Sequence, residues 1–101
     1  RIYQEALNNI IRHAQARHIW IRLRLNEKDV VLEIQDDGRG FEVPKRRVEL
    51  ARQGHLGLVG ATERSEAIGG ELRILSTPGQ GTLIEITIPY ASEQELIYAK
   101  G

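Results

Sequence analysis

Residues 30–41 read Val-Val-Leu-Glu-Ile-Gln-Asp-Asp-Gly-Arg-Gly-Phe, and this stretch decides the fold of the chain. Its apolar first half predicts a buried strand, which places the carboxylate of Asp36 at the end of a rigid element. Gly38 and Gly40 allow a tight turn and let a ligand approach the bare backbone. A fixed acceptor beside bare backbone suits a flat, amine-bearing ring such as adenine. Asp-Gly pairs also mark ordinary turns, so residues 36–41 alone leave open whether this is a binding site or a simple turn.

Length and composition set broad limits. The chain has 101 residues, which predicts one domain with one modest core. Its 14 basic and 14 acidic residues balance, so bulk charge does not indicate a nucleic-acid or membrane partner. There is no cysteine, which excludes disulfides and cysteine-based zinc sites. The chain begins at Arg1 within a predicted helix, so we interpret it as a piece of a longer protein.

Residues 1–15 are predicted to form an amphipathic helix with one apolar face. The opposite face carries Glu5, Asn8, Asn9, Arg12 and His13. Asn9 lies one turn after Glu5, and Arg12 and His13 lie one turn further on. Asparagine is unfavourable within a helix, and two in succession weaken it without an evident structural return. The polar face is therefore either an ordinary solvated surface or one wall of a binding site.

Residues 18–25 and 30–35 alternate as two strands joined by a turn at 26–29, which predicts a hairpin. The inward residues of the first strand are Ile19, Ile21, Leu23 and Leu25. A four-residue loop sets Leu25 opposite Val30, Leu23 opposite Leu32 and Ile21 opposite Ile34. The same register pairs Arg22 with Glu33 on the outer face, which is favourable.

Residues 42–56 have weak periodicity, and we interpret this lid segment as a mobile cover over a site. It contains a possible short helix around 44–52 with Pro44 in its first turn. A second helix follows to about Ile68, with an inner face formed by Leu58, Ala61, Ser65 and Ile68. Gly69-Gly70 ends it, one of the two in the left-handed region.

Three glycines lead into that second helix, namely Gly54, Gly57 and Gly60. Free amides and the helix dipole at such a place form an anion site, whereas the alternative is that the glycines only punctuate a loop. A second hairpin joins residues 72–76 to 82–89, with Leu72 and Ile74 inward opposite Ile84, Ile86 and Ile88. Residues 91–101 have no functional interpretation.

This order predicts an α+β fold, a two-layer α/β sandwich with helices packed on one face of a mostly antiparallel, mixed sheet. Four motifs in the same order resemble the ATP-binding module shared by DNA gyrase B-type subunits, ninety-kilodalton heat-shock chaperones, mismatch-repair ATPases and sensor histidine kinases, known as the Bergerat fold. They are Gln4–Ala14 as the N box, Asp36–Phe41 as the G1 box, Gly54–Gly60 as the G2 box, and Gly79–Thr82 as the last glycine motif. The chain is most similar to histidine kinases of the NarL-partner class, over residues 1–90.

The resemblance implies a role for each matching residue. Asn9 would bind Mg2+ bridging the phosphates of ATP, and Glu5 would order a water near them, so these two are the implied catalytic residues. Arg12 and His13 would contact the nucleotide, and Asp36 would accept from the adenine amine. The remaining implied contacts are Gly38, Gly40, Phe41, His55, Gly57, Leu58, Gly60 and Thr82. The implied chemistry is phosphoryl transfer by positioning and charge neutralisation.

The resemblance also implies partners and leaves alternatives. None of His13, His18 and His55 precedes the N box, so the phosphoacceptor histidine would lie on a separate dimerisation domain of the same parent kinase, and a response regulator would follow. We expect residues 1–90 to form an N-terminally trimmed catalytic domain, monomeric by itself within a homodimeric parent, and residues 91–101 a tail. The domain would be cytoplasmic, its parent either membrane-anchored or soluble. Alternatives are a gyrase-like or mismatch-repair-like ATPase, an anti-sigma-factor serine kinase, and a non-catalytic nucleotide-binding module.

Overall fold

A computed structural model describes Asn8 and residues 15–90 of the chain. In chain order the elements are β1 (Ile19–Leu25), β2 (Asp29–Asp36), α1 (Arg47–Arg52), α2 (Leu56–Ala67), β3 (Glu71–Ser76) and β4 (Thr82–Pro89). Asn8 is helical, and the other residues of the predicted first helix up to 14, with the tail 91–101, lie outside the described residues.

The four strands form one sheet in the order β1-β2-β4-β3. Every pairing among them is antiparallel, so the described residues contain no parallel pair. The predicted hairpin register is confirmed, because Leu25 pairs with Val30, Leu23 with Leu32 and Ile21 with Ile34. Arg22 Nε lies 3.7 Å from Glu33 Oε1 on the outer face, as the register predicted.

The core lies between the sheet and the two helices. Ile34, Ile84 and Ile86 on the sheet contact Leu58 of α2 and Leu50 of α1, and all are buried. Leu72 and Ile74 of β3 pack against this cluster and pair with Ile86 and Ile84, as predicted for the second hairpin. Alternation on β2, β3 and β4 therefore supplies one apolar face, which α2 covers at β3 and β4.

The predicted burial of β1 is wrong. Ile19, Ile21, Leu23 and Leu25 lie on the apolar side of the sheet by register, yet their exposed fractions rise from 38% to 73% along the strand. The cause is the strand order. β1 is an edge strand, separated from β3 by two strands, and α2 contacts the opposite half of the sheet. Alternation thus predicted the correct face but not what packs against it.

The helices differ from prediction at their ends. α1 begins at Arg47 rather than near Pro44, because Arg46 is still extended, with φ −114° and ψ 138°. Leu58, Ala61 and Ser65 form the buried face of α2 as predicted, but Ile68 is 55% exposed, because the helix ends at Ala67 and Ile68 lies beyond its last turn. Gly69 follows with φ +78°, the predicted left-handed residue.

The lid segment carries ordered structure, with α1 inside it and Leu50 in the core. Its predicted mobility stays a prediction. None of the helices in the part of the chain that the structure describes is long and apolar enough to cross a membrane.

Candidate functional site

One row of the sheet ends in polar side chains on three adjacent strands. Asp36 of β2 pairs with Thr82 of β4, and Thr82 pairs with Ser76 of β3. All three continue apolar inner rows, since Asp36 follows Ile34, Ser76 follows Ile74, and Thr82 precedes Ile84. Asp36 is 2% exposed and Thr82 6% exposed. The inner face of the sheet therefore changes from apolar to polar at this one rim.

The carboxylate of Asp36 is only half satisfied. Its Oδ1 accepts a 2.8 Å hydrogen bond from the amide of Gly38. Its Oδ2 is buried and has no hydrogen-bond partner among the described residues. Burial raises the pKa of Asp36, an effect that the amides of Gly38 and Thr82 oppose and the charge of Asp37 reinforces. A buried carboxylate oxygen without a partner is costly, and a donating ligand would remove that cost.

Two loops cross tightly beside this rim. A Cβ added to Gly40, whose φ is +64°, would lie 2.1 Å from the carbonyl oxygen of Thr77. A Cβ added to Gly81, whose φ is +75°, would lie 2.1 Å from the carbonyl oxygen of Asp36. The amide of Gly79 donates to the carbonyl of Arg39 at 2.6 Å. The glycines of the two motifs therefore let the loop after β2 and the turn between β3 and β4 touch backbone to backbone.

A small cavity opens at the same rim. Its volume is ≈ 260 Å³, and its lining includes Asp36, Ser76, Thr82, Gln80 and Gly81. Ligand pockets usually have about 300–1,000 Å³. Gln35, Leu75 and Leu83, which belong to the outer face of the sheet, also line this cavity. The cavity therefore lies across the end of the sheet and does not by itself outline the predicted nucleotide site, one wall of which is predicted on residues 1–14.

The remaining predicted contacts divide into three groups. Glu5, Asn9, Arg12 and His13 lie outside the described residues. Phe41 and His55 stack with ring centroids 4.2 Å apart, which ties the loop after β2 to the start of α2. Gly57 and Gly60 lie in the first turns of α2, and Leu58 is a fully buried core residue.

Fewer backbone amides are available for the predicted anion site at the start of α2 than the sequence suggested. The amides of Leu58 and Val59 both donate to the carbonyl of His55, each at 3.2 Å. The prediction therefore concerns the two preceding amides, those of Leu56 and Gly57. No group of three His, Cys, Asp or Glu side chains that could hold a metal ion exists among the described residues.

Sequence reasoning missed two features. Ser76 belongs to the polar row, and its position two residues after Ile74 on an alternating strand was an available signal. The second feature is Asp37, which directly follows β2 on the outer side of the sheet. Its carboxylate accepts 2.9 Å hydrogen bonds from the amides of Arg17 and His18 and lies 2.8 Å from His18 Nδ1. Only the fold brings these residues together, since 19 positions separate His18 from Asp37.

Known proteins match this chain over most of its length. A family described as histidine kinase-, DNA gyrase B- and HSP90-like ATPase matches residues 1–92. An uncharacterized sensor-like histidine kinase of Chloroflexus aurantiacus is 46% identical over 90 residues, which are 88% of this chain and 15% of that protein. The sensor histidine kinase YdfH of Bacillus subtilis is 41% identical over 93% of this chain and 23% of its own length. The chain therefore spans less than a quarter of these two relatives.

Solved structures share the fold. The ATP-binding domain of PrrB from Mycobacterium tuberculosis superposes with a TM-score of 0.72 at 23% identity, over 90% of this chain and 65% of that one. The histidine kinase domain of the blue-light activated histidine kinase EL346 from Erythrobacter litoralis gives a TM-score of 0.69 at 24% identity, over 97% of this chain and 45% of that one. The two-layer fold predicted from the sequence is confirmed.

Proposed function

Because the chain belongs to the histidine kinase-, DNA gyrase B- and HSP90-like ATPase family, we propose that it is the ATP-binding catalytic domain of a two-component sensor histidine kinase. It binds ATP at the rim where β2 ends. The domain bounds, residues 1–90 with a tail at 91–101, stay a prediction.

One observation carries this proposal, which is the unpartnered Oδ2 of the buried Asp36. A carboxylate held by a backbone amide through its other oxygen has a fixed orientation. It accepts a hydrogen bond from a donor and repels a carbonyl oxygen, so it suits the exocyclic amine of adenine. The stacked pair Phe41 and His55 and the closely packed glycines support the loops that surround the base.

The proposed reaction moves the γ-phosphoryl group of ATP to a histidine nitrogen on the dimerisation and phosphoacceptor domain of the same parent kinase, with a response regulator as the next acceptor. The relatives named as sensor histidine kinases support this reaction. Asn9 is the proposed ligand of Mg2+, which would neutralise phosphate charge, and Glu5 is the proposed water-ordering residue. The chain's own contribution is to hold the nucleotide in position.

Titration of the chain with a fluorescent ATP analogue and Mg2+ tests the binding step. Saturable binding is expected, and Asp36→Asn should weaken it by about 10- to 100-fold, since an amide can turn its NH2 group towards the adenine amine and a hydrogen bond to a charged group is worth about 1.5–3 kcal/mol. Asp37→Asn is the matched control and should bind with the affinity of the unsubstituted chain. The proposal is contradicted if the chain does not bind the analogue, or if Asp36→Asn leaves the affinity unchanged. Repeating the titration with EDTA tests the role of Mg2+.

Mixing the chain with a separately produced acceptor domain and labelled ATP tests the transfer step. Label should appear on the acceptor in an acid-labile form typical of phosphohistidine. Binding without transfer would instead favour the non-catalytic nucleotide-binding module.

A further inference from the structure

A second cavity, here called the lateral groove, lies between the lid segment, α2 and β3 and shares no lining residue with the cavity at the polar rim. Its volume is ≈ 340 Å³, and ligand pockets usually have about 300–1,000 Å³. The apolar part of its lining includes Leu50, Leu72 and Ile74. Leu72 and Ile74 pack against the core but are only half-buried. The lateral groove therefore leaves one edge of the core uncovered by the described residues.

The lid segment makes one side of the lateral groove basic. Lys45, Arg46 and Arg47 line it, and all three are exposed. Arg47 is neutralised by α2, because its Nη2 lies 3.0 Å from each carboxylate oxygen of Glu66. Within the described residues, no carboxylate forms an ion pair with Lys45 or Arg46. The lateral groove therefore combines an apolar lining with two positive charges that are not neutralised there.

This combination defines the chemistry of an occupant. Apolar side chains would cover the exposed parts of Leu72 and Ile74, and carboxylates would lie favourably beside Lys45 and Arg46. A simple anion would leave the apolar lining in water, and a purely apolar ligand would gain nothing from the two charges. The lateral groove thus fits a peptide in which acidic and apolar residues are adjacent.

The chain contains such a segment directly after the described residues. Residues 93–98 read Glu-Gln-Glu-Leu-Ile-Tyr, with two carboxylates followed by three large apolar or aromatic side chains. This segment follows β4, which ends at Pro89. A Cβ added to Gly69, two residues after α2, would lie 3.7 Å from Cγ of Pro89. The chain therefore leaves the sheet beside the end of α2, a helix that also lines the lateral groove.

The segment is long enough to reach the lateral groove. Thr62, which lines the groove, precedes the last residue of α2, Ala67, by five positions, or about 8 Å along the helix axis. From Tyr90 to Leu96, six extended residues span about 20 Å. The chain can therefore pass the end of α2 and place the apolar residues of the segment over β3.

We propose that the lateral groove is a docking site for an acidic–apolar peptide and that its occupant is the segment 93–98 of the same molecule. Glu93 and Glu95 neutralise Lys45 and Arg46, and the three residues after Glu95 cover the apolar lining. Docking connects the end of β4 to the lid segment and holds the lid segment against β3. The proposal involves no nucleotide, so it stands or fails separately from the proposed function.

A paramagnetic tag on the full chain tests where the segment lies. The chain has no cysteine, so Ala99→Cys supplies a single thiol for a nitroxide. The tag should broaden the amide NMR signals of Thr62 and Leu72 strongly, and much more than that of Leu23 on β1, which two strands separate from β3. Absent broadening, or equal broadening at these three residues, would overturn the proposal.

A mixing experiment distinguishes the same molecule from a second copy. Tagged chain without isotope label is mixed with untagged, 15N-labelled chain. The signals of Thr62 and Leu72 should keep their intensity in this mixture. If they are broadened as in the singly tagged chain, the occupant is the segment of another molecule and docking within one molecule is wrong.

A charge exchange tests the contacts. Lys45→Glu/Arg46→Glu should lower the ratio of docked to free segment about tenfold, the effect of about 1.4 kcal/mol, and weaken the broadening accordingly. Adding Glu93→Lys/Glu95→Lys should restore the broadening, which a merely structural effect of the first two substitutions would not do. Arg52→Glu, on α1 but outside the lining of the lateral groove, is the matched control and should leave the broadening unchanged. Failure of the exchange to restore broadening would overturn the proposed charge pairing.

The apolar contact has its own test. Leu96→Ser/Ile97→Ser should release the segment and remove most of the broadening at Thr62 and Leu72. Broadening that persists in this variant would contradict the proposed role of the apolar lining. Amide NMR spectra of each untagged variant, compared with that of the unsubstituted chain, verify that the sheet is intact.

Discussion

Asp36 and Asp37 are neighbours in the chain but lie on opposite sides of the sheet. Asp36 continues the inner row of β2, is 2% exposed and has one oxygen without a partner among the described residues. Asp37 lies on the outer side, where its Oδ1 accepts hydrogen bonds from the amides of Arg17 and His18 and its Oδ2 contacts the His18 ring. Burial raises the pKa of Asp36, whereas the hydrogen bonds from His18, backbone first and then side chain, lower the pKa of Asp37 to about 2.

The difference shows how to assign roles to two adjacent carboxylates. Asp37 is fully engaged by its own chain and ties the segment before β1 to the end of β2, so its role is structural. Asp36 is held in place but not satisfied, so it retains acceptor capacity for a ligand. The two carboxylates carry the same charge, so it is the missing hydrogen bond that makes Asp36 the candidate for ligand binding.

The largest expected effect comes from the backbone that carries both aspartates. Gly81→Ala would place a Cβ 2.1 Å from the carbonyl oxygen of Asp36 and 3.2 Å from the Cα of Asp37, so backbone must move. We expect a loss of about 3 kcal/mol or more in the free energy of unfolding, measured with urea. Gly79→Ala is the matched control, since its φ of +81° is equally unfavourable for alanine but no atom lies within 4 Å of the added Cβ.

Gly79→Ala should therefore lower the free energy of unfolding only by the cost of holding alanine at a positive φ, about 1–2 kcal/mol. Equal losses in the two variants would show that the contact between the loop and the turn does not constrain the end of β2.

An intermediate effect is expected at Asp36 itself, with a sign opposite to that of most substitutions. A raised pKa in the folded state means that the folded protein holds the proton of Asp36 more tightly than the unfolded chain does. This stabilisation is present below the ordinary pKa of 3.8 and is lost as the pH rises through the folded pKa. At pH 7 the buried charge therefore costs stability.

Asp36→Asn removes that charge from the buried end of β2. At pH 7 the variant should have a higher free energy of unfolding than the unsubstituted chain. This gain should be about 1 kcal/mol larger at pH 7 than at pH 3, within the range for unpaired buried polar groups. Urea unfolding at the two pH values measures the change. A variant that is less stable than the parent chain at pH 7 would contradict this view of Asp36.

The sequence predicted the geometry of the sheet but not all of its surroundings. Register followed from alternation and loop length, which are local, so the pairing of Leu25 with Val30 was predictable. The position of Asp36 was predictable for the same reason, since it is the polar residue that ends an apolar strand. The exposure of Leu23 on β1 was not predictable, because alternation shows which side faces a possible core and not whether a helix covers that side.

The unpredicted parts of the site are contacts between distant segments. Ser76 meets the amide of Phe41 across 35 positions, and Asp37 meets His18 across 19. No spacing rule relates such pairs, since they depend on how the loop after β2 crosses the turn before β4. The polar row Asp36, Thr82 and Ser76 was nevertheless encoded, because each residue lies at a strand end in phase with the apolar positions.

The smallest expected effect is at Asp37, where the comparison with Asp36 predicts the opposite pH dependence. Its folded pKa of about 2 is below the ordinary 3.8, so its contribution to stability is present above pH 3.8 and is lost as the pH falls towards 2. Asp37→Asn should destabilise the chain at pH 7 by a small fraction of the Gly81→Ala effect, because the site is exposed to solvent. It should also reduce the loss of stability in acid, measured as the fall in the urea midpoint from pH 5 to pH 2.

His18→Ala should change this fall less than Asp37→Asn does, since the amides of Arg17 and His18 still donate to Asp37. Asp29→Asn, at the first residue of β2, is the control for removing a strand-end carboxylate. If Asp37→Asn keeps the full acid dependence of the parent chain, Asp37 is not the structural tie that its three contacts indicate.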